Sequence, residues 1–182
     1  MKVTLINGSP ASKSHTYSLL IHIGEQLKKQ KVEVRLWDLR KNIMPVVSPE
    51  YHLDPAASPV RIVRAFIRLI EESDAIILGT PLYHGSYSGV LKNAIDHLSP
   101  TGFENKIVGL VSNAGGIKNT IACEHLRSVV RTLYGYTTQS QIGTSRNDYE
   151  ETKTGYELKD EDIKKRCQRL VEEIITLTRA MA

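Results

Sequence analysis

Three short stretches of the chain gather residue types that could hold a small charged or aromatic ligand. The first, Asn7-Gly8-Ser9-Pro10-Ala11-Ser12-Lys13-Ser14-His15-Thr16, follows an apolar run and opens onto a helical pattern. Helix N-termini carry unpaired N–H groups at the positive end of the dipole, so they bind phosphate readily. Ser9, Ser14 and Thr16 add hydroxyl donors, and Gly8 lets the backbone approach closely. The plainer reading of this stretch is helix capping by Ser14 or Thr16. The second stretch is Gly79-Thr80-Pro81-Leu82-Tyr83-His84-Gly85-Ser86-Tyr87-Ser88-Gly89. Its backbone groups suit the edge of a flat aromatic ligand, with Tyr83 and Tyr87 near the ring face. The alternative is a turn whose tyrosines cover the core, in which His84 is an ordinary loop histidine rather than a proton donor. The third is Ser112-Asn113-Ala114-Gly115-Gly116, leading into another helix. Paired glycines there let N–H groups point at an oxygen, and a helix start favours negative charge. A glycine-rich turn holding no ligand is the alternative.

Absent motifs narrow the chemistry. Neither GxGxxG nor GxxxxGK[ST] occurs, which argues against a dinucleotide held in two halves and against a nucleoside triphosphate cradle. What remains is a hydroxyl-lined pocket for one phosphate monoester, with no metal requirement. Cys123 and Cys167 form no CxxC and lie in apolar helical patterns, the setting of small buried side chains. Hydrophobic residues at 41% and charged residues at 24% exclude a disordered or disulfide-stapled chain. Arg61, Arg64 and Arg68 have helical spacing and read as a solvated face, and the net charge of +4 is too small and scattered for a nucleic-acid partner. No apolar run reaches the roughly eighteen residues of a membrane span. Met1 leads straight into a strand-like segment with no leader pattern, so the expected location is cytoplasmic.

The elements that must position these stretches alternate from end to end. Strands are expected at Lys2–Asn7, Val32–Leu39, Ala75–Gly79, Lys106–Val111 and, polar enough for a sheet edge, Thr137–Ile142. Helices are expected over Ser18–Lys29, over Val60–Ile70, along Val90, Leu91, Ala94, Ile95 and Leu98, along Ala122 to Leu133, and along Ile163 to Ile175. Residues 40–59 carry Pro45, Pro49, Pro55 and Pro59 and read as a loop, as does Gly143–Gly155. Five strands alternating with five helices imply one α/β domain over residues 1–182, a three-layer parallel sheet with helices on both faces. Its default ligand site is the crevice at the carboxyl ends of the strands, where the three stretches fall.

Taken together, Gly8-Ser9-Pro10 with Ser14-His15-Thr16, the run Thr80 to Asp96 (TPLYHGSYSGVLKNAID) and Asn113-Ala114-Gly115-Gly116 resemble the NADPH-dependent FMN reductases, a group including azoreductases and quinone or chromate reductases. The resemblance spans essentially the whole chain, and its middle segment is the most specific part. It implies a flavodoxin-like fold with sheet order 2-1-3-4-5, and FMN bound non-covalently between the first and third strands. Carried over by position, Ser9, Ser14, His15 and Thr16 would hold the phosphate. Pro81, Leu82, Tyr83, His84 and Gly85 would line the isoalloxazine, and Asn113, Ala114, Gly115 and Gly116 its pyrimidine side, where charge accumulates on reduction. Lys92, Asn93 and Asp96 would fix the flavin loop and contribute to a subunit interface. The implied reaction passes hydride from NADPH or NADH to FMN, then electrons to a small-molecule acceptor: a flavin, quinone, azo compound or metal oxyanion. No side chain is required as general acid or nucleophile. A homodimer or homotetramer is implied as well. One departure stands out: many relatives carry an arginine where this chain has Ala11, leaving Lys13 either to replace its charge or to be solvated. The rival readings are a flavodoxin-type electron carrier, a class commonly acidic where this chain is +4, and a flavin-less sensor or interaction protein on the same scaffold.

Overall fold

Continuous apolar strands need cover on both faces, and the chain supplies it. A computed structural model describes residues 1–181. Strands β1 (Lys2–Asn7), β2 (Glu33–Asp38), β3 (Ala75–Pro81), β4 (Ile107–Ala114) and β5 (Tyr136–Ser145) form one parallel sheet in the order β2-β1-β3-β4-β5. Every residue of β3 and β4 is buried. Helices α1 (His15–Lys29) and α5 (Glu161–Met181) cover one face, with Leu19, Leu20 and Ile23 meeting Leu170, Val171 and Ile174 in a shared core. Helices α2 (Arg61–Glu71), α3 (Gly89–Ile95) and α4 (Ile121–Thr132) cover the other, around Phe66, Leu91, Phe103 and Leu126. This is the expected flavodoxin-like three-layer arrangement, with the order of connection reversing between β1 and β3.

Several boundaries differ from the sequence reading, each for a local reason. Helix α1 begins at His15 rather than Ser18, because the Ser14 hydroxyl accepts the Tyr17 N–H at 3.1 Å and caps the extra turn. Helix α3 stops at Ile95, and Leu98 reaches the core from the turn beyond it. Strand β5 runs on to Ser145 and carries a bulge opposite Val108 to Leu110, where the Gln139 and Ser140 amides donate to the Glu173 carboxylate on α5. The expected loop 143–155 instead holds the end of β5, a 3-10 turn at 146–148 and strand β6 (Tyr149–Glu151). Strand β6 pairs antiparallel with β7 (Tyr156–Leu158) against α1. Among the described residues there are thus seven strands and five α-helices, not five of each. Residues 40–59 lack an α-helix, as their prolines require, and form two short 3-10 turns.

Candidate functional site

The crevice between β1 and β3 starts from a close approach that only glycine permits. The Gly8 N–H donates to the Gly79 carbonyl at 2.8 Å, and a Cβ on Gly8 would stand 2.8 Å from that same oxygen and from the Leu91 Cβ. Ser88 locks the other side. Its hydroxyl donates to the Gly8 carbonyl and accepts the Leu91 N–H, while its own N–H donates to Thr80 Oγ1 at 2.9 Å. The start of α3 is thereby tied to the first loop.

That first loop ends on the N-terminus of α1. Ser14 takes the Tyr17 N–H with its hydroxyl and the Ser18 N–H with its carbonyl, and the first turn carries no acidic residue. The His15 and Thr16 amides find no protein acceptor among the described residues. Two orphan donors at the positive end of a fifteen-residue helix, beside the buried hydroxyls of Ser9, Ser14 and Thr16, suit an anion. The backbone of the loop is held from behind by Arg40. Its guanidinium donates to the carbonyls of Ala11 and Ser12 (3.3 and 2.6 Å), pairs with Asp38 at 2.6 Å and stacks over the Tyr17 ring at 4.2 Å. Burial pushes the Asp38 carboxyl up, but hydrogen bonds from Arg40 and Asn7 outweigh it and hold the group below the usual range. Lys13, at the rim of the same loop, pairs its ammonium with the exposed Glu151 carboxylate at 2.8 Å. The His15 ring stacks on Tyr156 with centroids 3.7 Å apart and meets Tyr149 edge-on at 4.9 Å, and its burial lowers its pKa, which disfavours a charge on the ring.

The second loop is a tight reversal. Tyr83 and Ser86 exchange both backbone hydrogen bonds (2.9 and 3.0 Å), with His84 at φ 48° and Gly85 at φ 81° between them. Two positive φ values make this a type I′ turn, which projects His84 into solvent. The Leu82 N–H is already spent on the Asn113 carbonyl at 2.8 Å. Tyr83 is exposed at the crevice, whereas Tyr87 packs against the α3 side of the core. In the third stretch Asn113 and Ala114 still belong to β4, and the Asn113 side-chain amide donates to Thr144 Oγ1 at 2.9 Å. Gly115 and Gly116 are exposed, and α4 begins only at Ile121, so its dipole does not act at the glycine pair as expected.

A cavity of about 220 Å³ joins the three stretches: Ser9, Ala11, Lys13, Ser14, His15 and Thr16 from the first, Pro81, Leu82 and Tyr83 from the second, Asn113 and Gly115 from the third. His84, Gly85, Ala114 and Gly116 lie outside its lining. A roomier hollow of about 660 Å³ around Met1, Asp74 and Lys106 sits at the amino ends of the strands. There the C-terminal ends of α1 and α5 meet, the wrong pole for an anion. Chemistry, not size, selects the smaller one. Asn93 holds a different loop from the one expected, donating to the Pro45 carbonyl at 2.7 Å and accepting the Val47 N–H at 3.1 Å. Lys92 pairs with Asp96, the C-cap residue of α3.

Residues 1–148 match the family model described as NADPH-dependent FMN reductase. The chain belongs to this family. An FMN-dependent NADPH-azoreductase of Staphylococcus aureus is 36% identical over 183 residues, covering 97% of this chain and 94% of that one. Among solved structures, the flavoenzyme NAD(P)H:(acceptor) oxidoreductase FerB of Paracoccus denitrificans superposes with a TM-score of 0.77 at 21% identity, covering 98% and 97% of the two chains. An FMN-dependent NADH-azoreductase of Bacillus anthracis, solved with FMN, gives 0.59 at 13% identity over all of both chains. At these identities the structures establish the fold alone. For a member of the FMN reductase family the donor set is chemically apt, since orphan amides and hydroxyls at a helix start match the phosphate end of FMN. Sequence reasoning missed Arg40 and Ser88. Arg40 had a signal in the Asp38-x-Arg40 pair at the carboxyl end of β2; Ser88 had none beyond its place before a helix.

Proposed function

We propose that the chain is an FMN-dependent NAD(P)H oxidoreductase, with residues 1–182 acting as one FMN-binding domain. The observation that carries this reading is the convergence of the unpaired α1 amides with the other two loops on one cavity. Ser9, Ser14, His15 and Thr16 would hold the FMN phosphate, Ser9, Ser14 and Thr16 by hydroxyl and His15 and Thr16 by backbone N–H. Pro81, Leu82, Tyr83, His84 and Gly85 would border the ring system, and Asn113, Ala114, Gly115 and Gly116 its pyrimidine side. The chemistry FMN supplies when bound is reversible two-electron redox between a nicotinamide donor and an acceptor. The protein's part is orientation and access. Arg40 and Ser88 fix the first loop, the type I′ turn holds Tyr83 at the rim, and the Thr144 hydroxyl anchors the Asn113 side-chain amide by accepting from it. No side chain is needed to move a proton to or from a reacting carbon.

The 36% identical azoreductase supports azo compounds as one acceptor class, beside flavins, quinones and metal oxyanions. We place the protein in the cytoplasm; no helix among the described residues is long and apolar enough to cross a membrane. A homodimer or homotetramer is supported by the exposed Ile43, Val46 and Leu53 on the loop that Asn93 pins. Light scattering at micromolar concentration should give twice or four times the chain mass, and a monomer would contradict it. For the activity, FMN-loaded protein is mixed anaerobically with NADPH and with NADH. Bleaching of the flavin faster than for free FMN is expected. Bleaching no faster than free FMN would leave an electron carrier as the better description.

A further inference from the structure

A second concavity, of about 570 Å³, adjoins the first and shares His15 with it. One wall is aromatic: His15, Tyr149 and Tyr156, packed on one another as described. The other carries Arg146, Asn147 and Lys159, and Glu151 also lines the hollow. Both cations are delivered by one rigid knuckle. Arg146 opens the 3-10 turn after β5, which Ser145 and Asp148 close by a reciprocal capping box. Lys159 follows β7, and its N–H donates to the Asp148 carbonyl at 2.9 Å. The lining carboxylate and the two acidic residues that brace the knuckle are already paired. Asp148 and Asp160 share the Lys118 ammonium at 2.7 and 3.0 Å, and Glu151 pairs with Lys13. Arg146 and Lys159 are exposed and, among the described residues, form no ion pair. The wall therefore keeps two uncompensated positive charges beside a flat apolar surface, in a volume of the size that accepts a nucleoside.

We infer that this concavity receives the adenosine half of the nicotinamide donor, with Arg146 and Lys159 gripping the 2′-phosphate, and that this contact selects NADPH over NADH. The inference rests on the NAD(P)H oxidoreductase reading: a donor whose reacting end lies at the first cavity and whose chain crosses His15 brings its other end here. A phosphate dianion gains charge-assisted hydrogen bonds from a guanidinium and an ammonium, and the 2′-hydroxyl of NADH gains none of comparable strength.

The test uses FMN-loaded protein with Arg146→Ala, Lys159→Ala and both together. Calorimetry measures binding of 2′,5′-ADP and of 5′-AMP, and steady-state kinetics give KM for NADPH and NADH. Each substitution should weaken 2′,5′-ADP and raise the NADPH KM by about tenfold. Affinity for 5′-AMP, the NADH KM and FMN retention should stay as in the unsubstituted protein. Unchanged 2′,5′-ADP affinity would overturn the inference. So would equal losses for both dinucleotides, which would mean that the cations meet the shared pyrophosphate. Failure of the unsubstituted protein to retain FMN or to oxidise either nucleotide would instead overturn the functional reading, and this inference with it.

Discussion

Replacing Arg40 by alanine removes the cation that pairs with Asp38 and frees the carbonyls of Ala11 and Ser12. Asp38 is only 5% exposed, so its charge cannot turn to water. It keeps two hydrogen bonds, from Asn7 Nδ2 at 2.8 Å and from the backbone N–H at position 40 at 3.2 Å. A stranded buried charge with no partner costs roughly 3–5 kcal/mol, and an exposed pair under about 1 kcal/mol. With two hydrogen bonds retained, a loss of about 2–3 kcal/mol at pH 7 is expected. The Ala11 and Ser12 carbonyls are at the surface, where water takes over, so they add little to stability. They do fix the loop, so FMN affinity should fall about tenfold as the loop must be ordered on binding. The pH dependence follows from the depressed carboxyl. A group held below its unfolded value of about 3.9 stabilises the fold above that pH and ceases to do so as pH falls through the folded value. The difference between the two proteins should therefore shrink on acidification below about pH 4. Urea unfolding at pH 7 and pH 3 measures this. Adding Asp38→Asn to the Arg40→Ala protein should recover most of the loss, since no charge is then stranded. A loss under about 0.5 kcal/mol at pH 7, or one that persists unchanged at pH 3, would refute the reasoning.

Other substitutions probe the remaining parts. Ser14→Glu sets a carboxylate against the phosphate at the α1 start; at about 4 Å and an effective dielectric constant of about 20 the repulsion is roughly 4 kcal/mol, so fluorescence titration should register about a thousandfold loss of FMN affinity. Gly8→Ala forces a Cβ against the Gly79 carbonyl and Leu91, and chemical denaturation should reveal a loss of about 1–3 kcal/mol; wild-type stability would mean that the approach is looser than it looks. Burial pushes the thiols of Cys123 and Cys167 up to about 11 and about 12, so a thiol reagent at pH 8 should label neither until the chain unfolds.

The parts of this architecture that a sequence reveals are those fixed by burial on both sides. The runs in β1, β3 and β4 are unbroken because helices cover both faces, and the β2-β1-β3-β4-β5 order follows the family resemblance. The hairpin of β6 and β7 escaped because three-residue strands carry no period, and its place is set by packing on α1. Helix α4 starts within one residue of the expected apolar stripe, but residues 117–120 separate it from the glycine pair, which the sequence reading runs straight into the helix. Within the crevice, Ser14 is both a cap and a cavity residue, so the two readings of the first loop were never exclusive. Tyr87 followed the plainer reading and joined the core, while its near neighbour Tyr83 stayed at the rim. The Asp38-x-Arg40 pair marks a charged spot at the end of β2, but its link to the first loop is hidden: Arg40 lies 28 residues from Ser12 in sequence, and only the β1–β2 pairing brings its guanidinium behind that loop.

The central claim is that the α1 start grips a phosphate within the three-loop cavity, and the direct measurement compares two ligands that differ only in that group. Titrating the apoprotein with FMN and with riboflavin, followed by flavin fluorescence, should give an FMN affinity at least about tenfold the tighter. Equal affinities, or no binding of FMN at all, would contradict it.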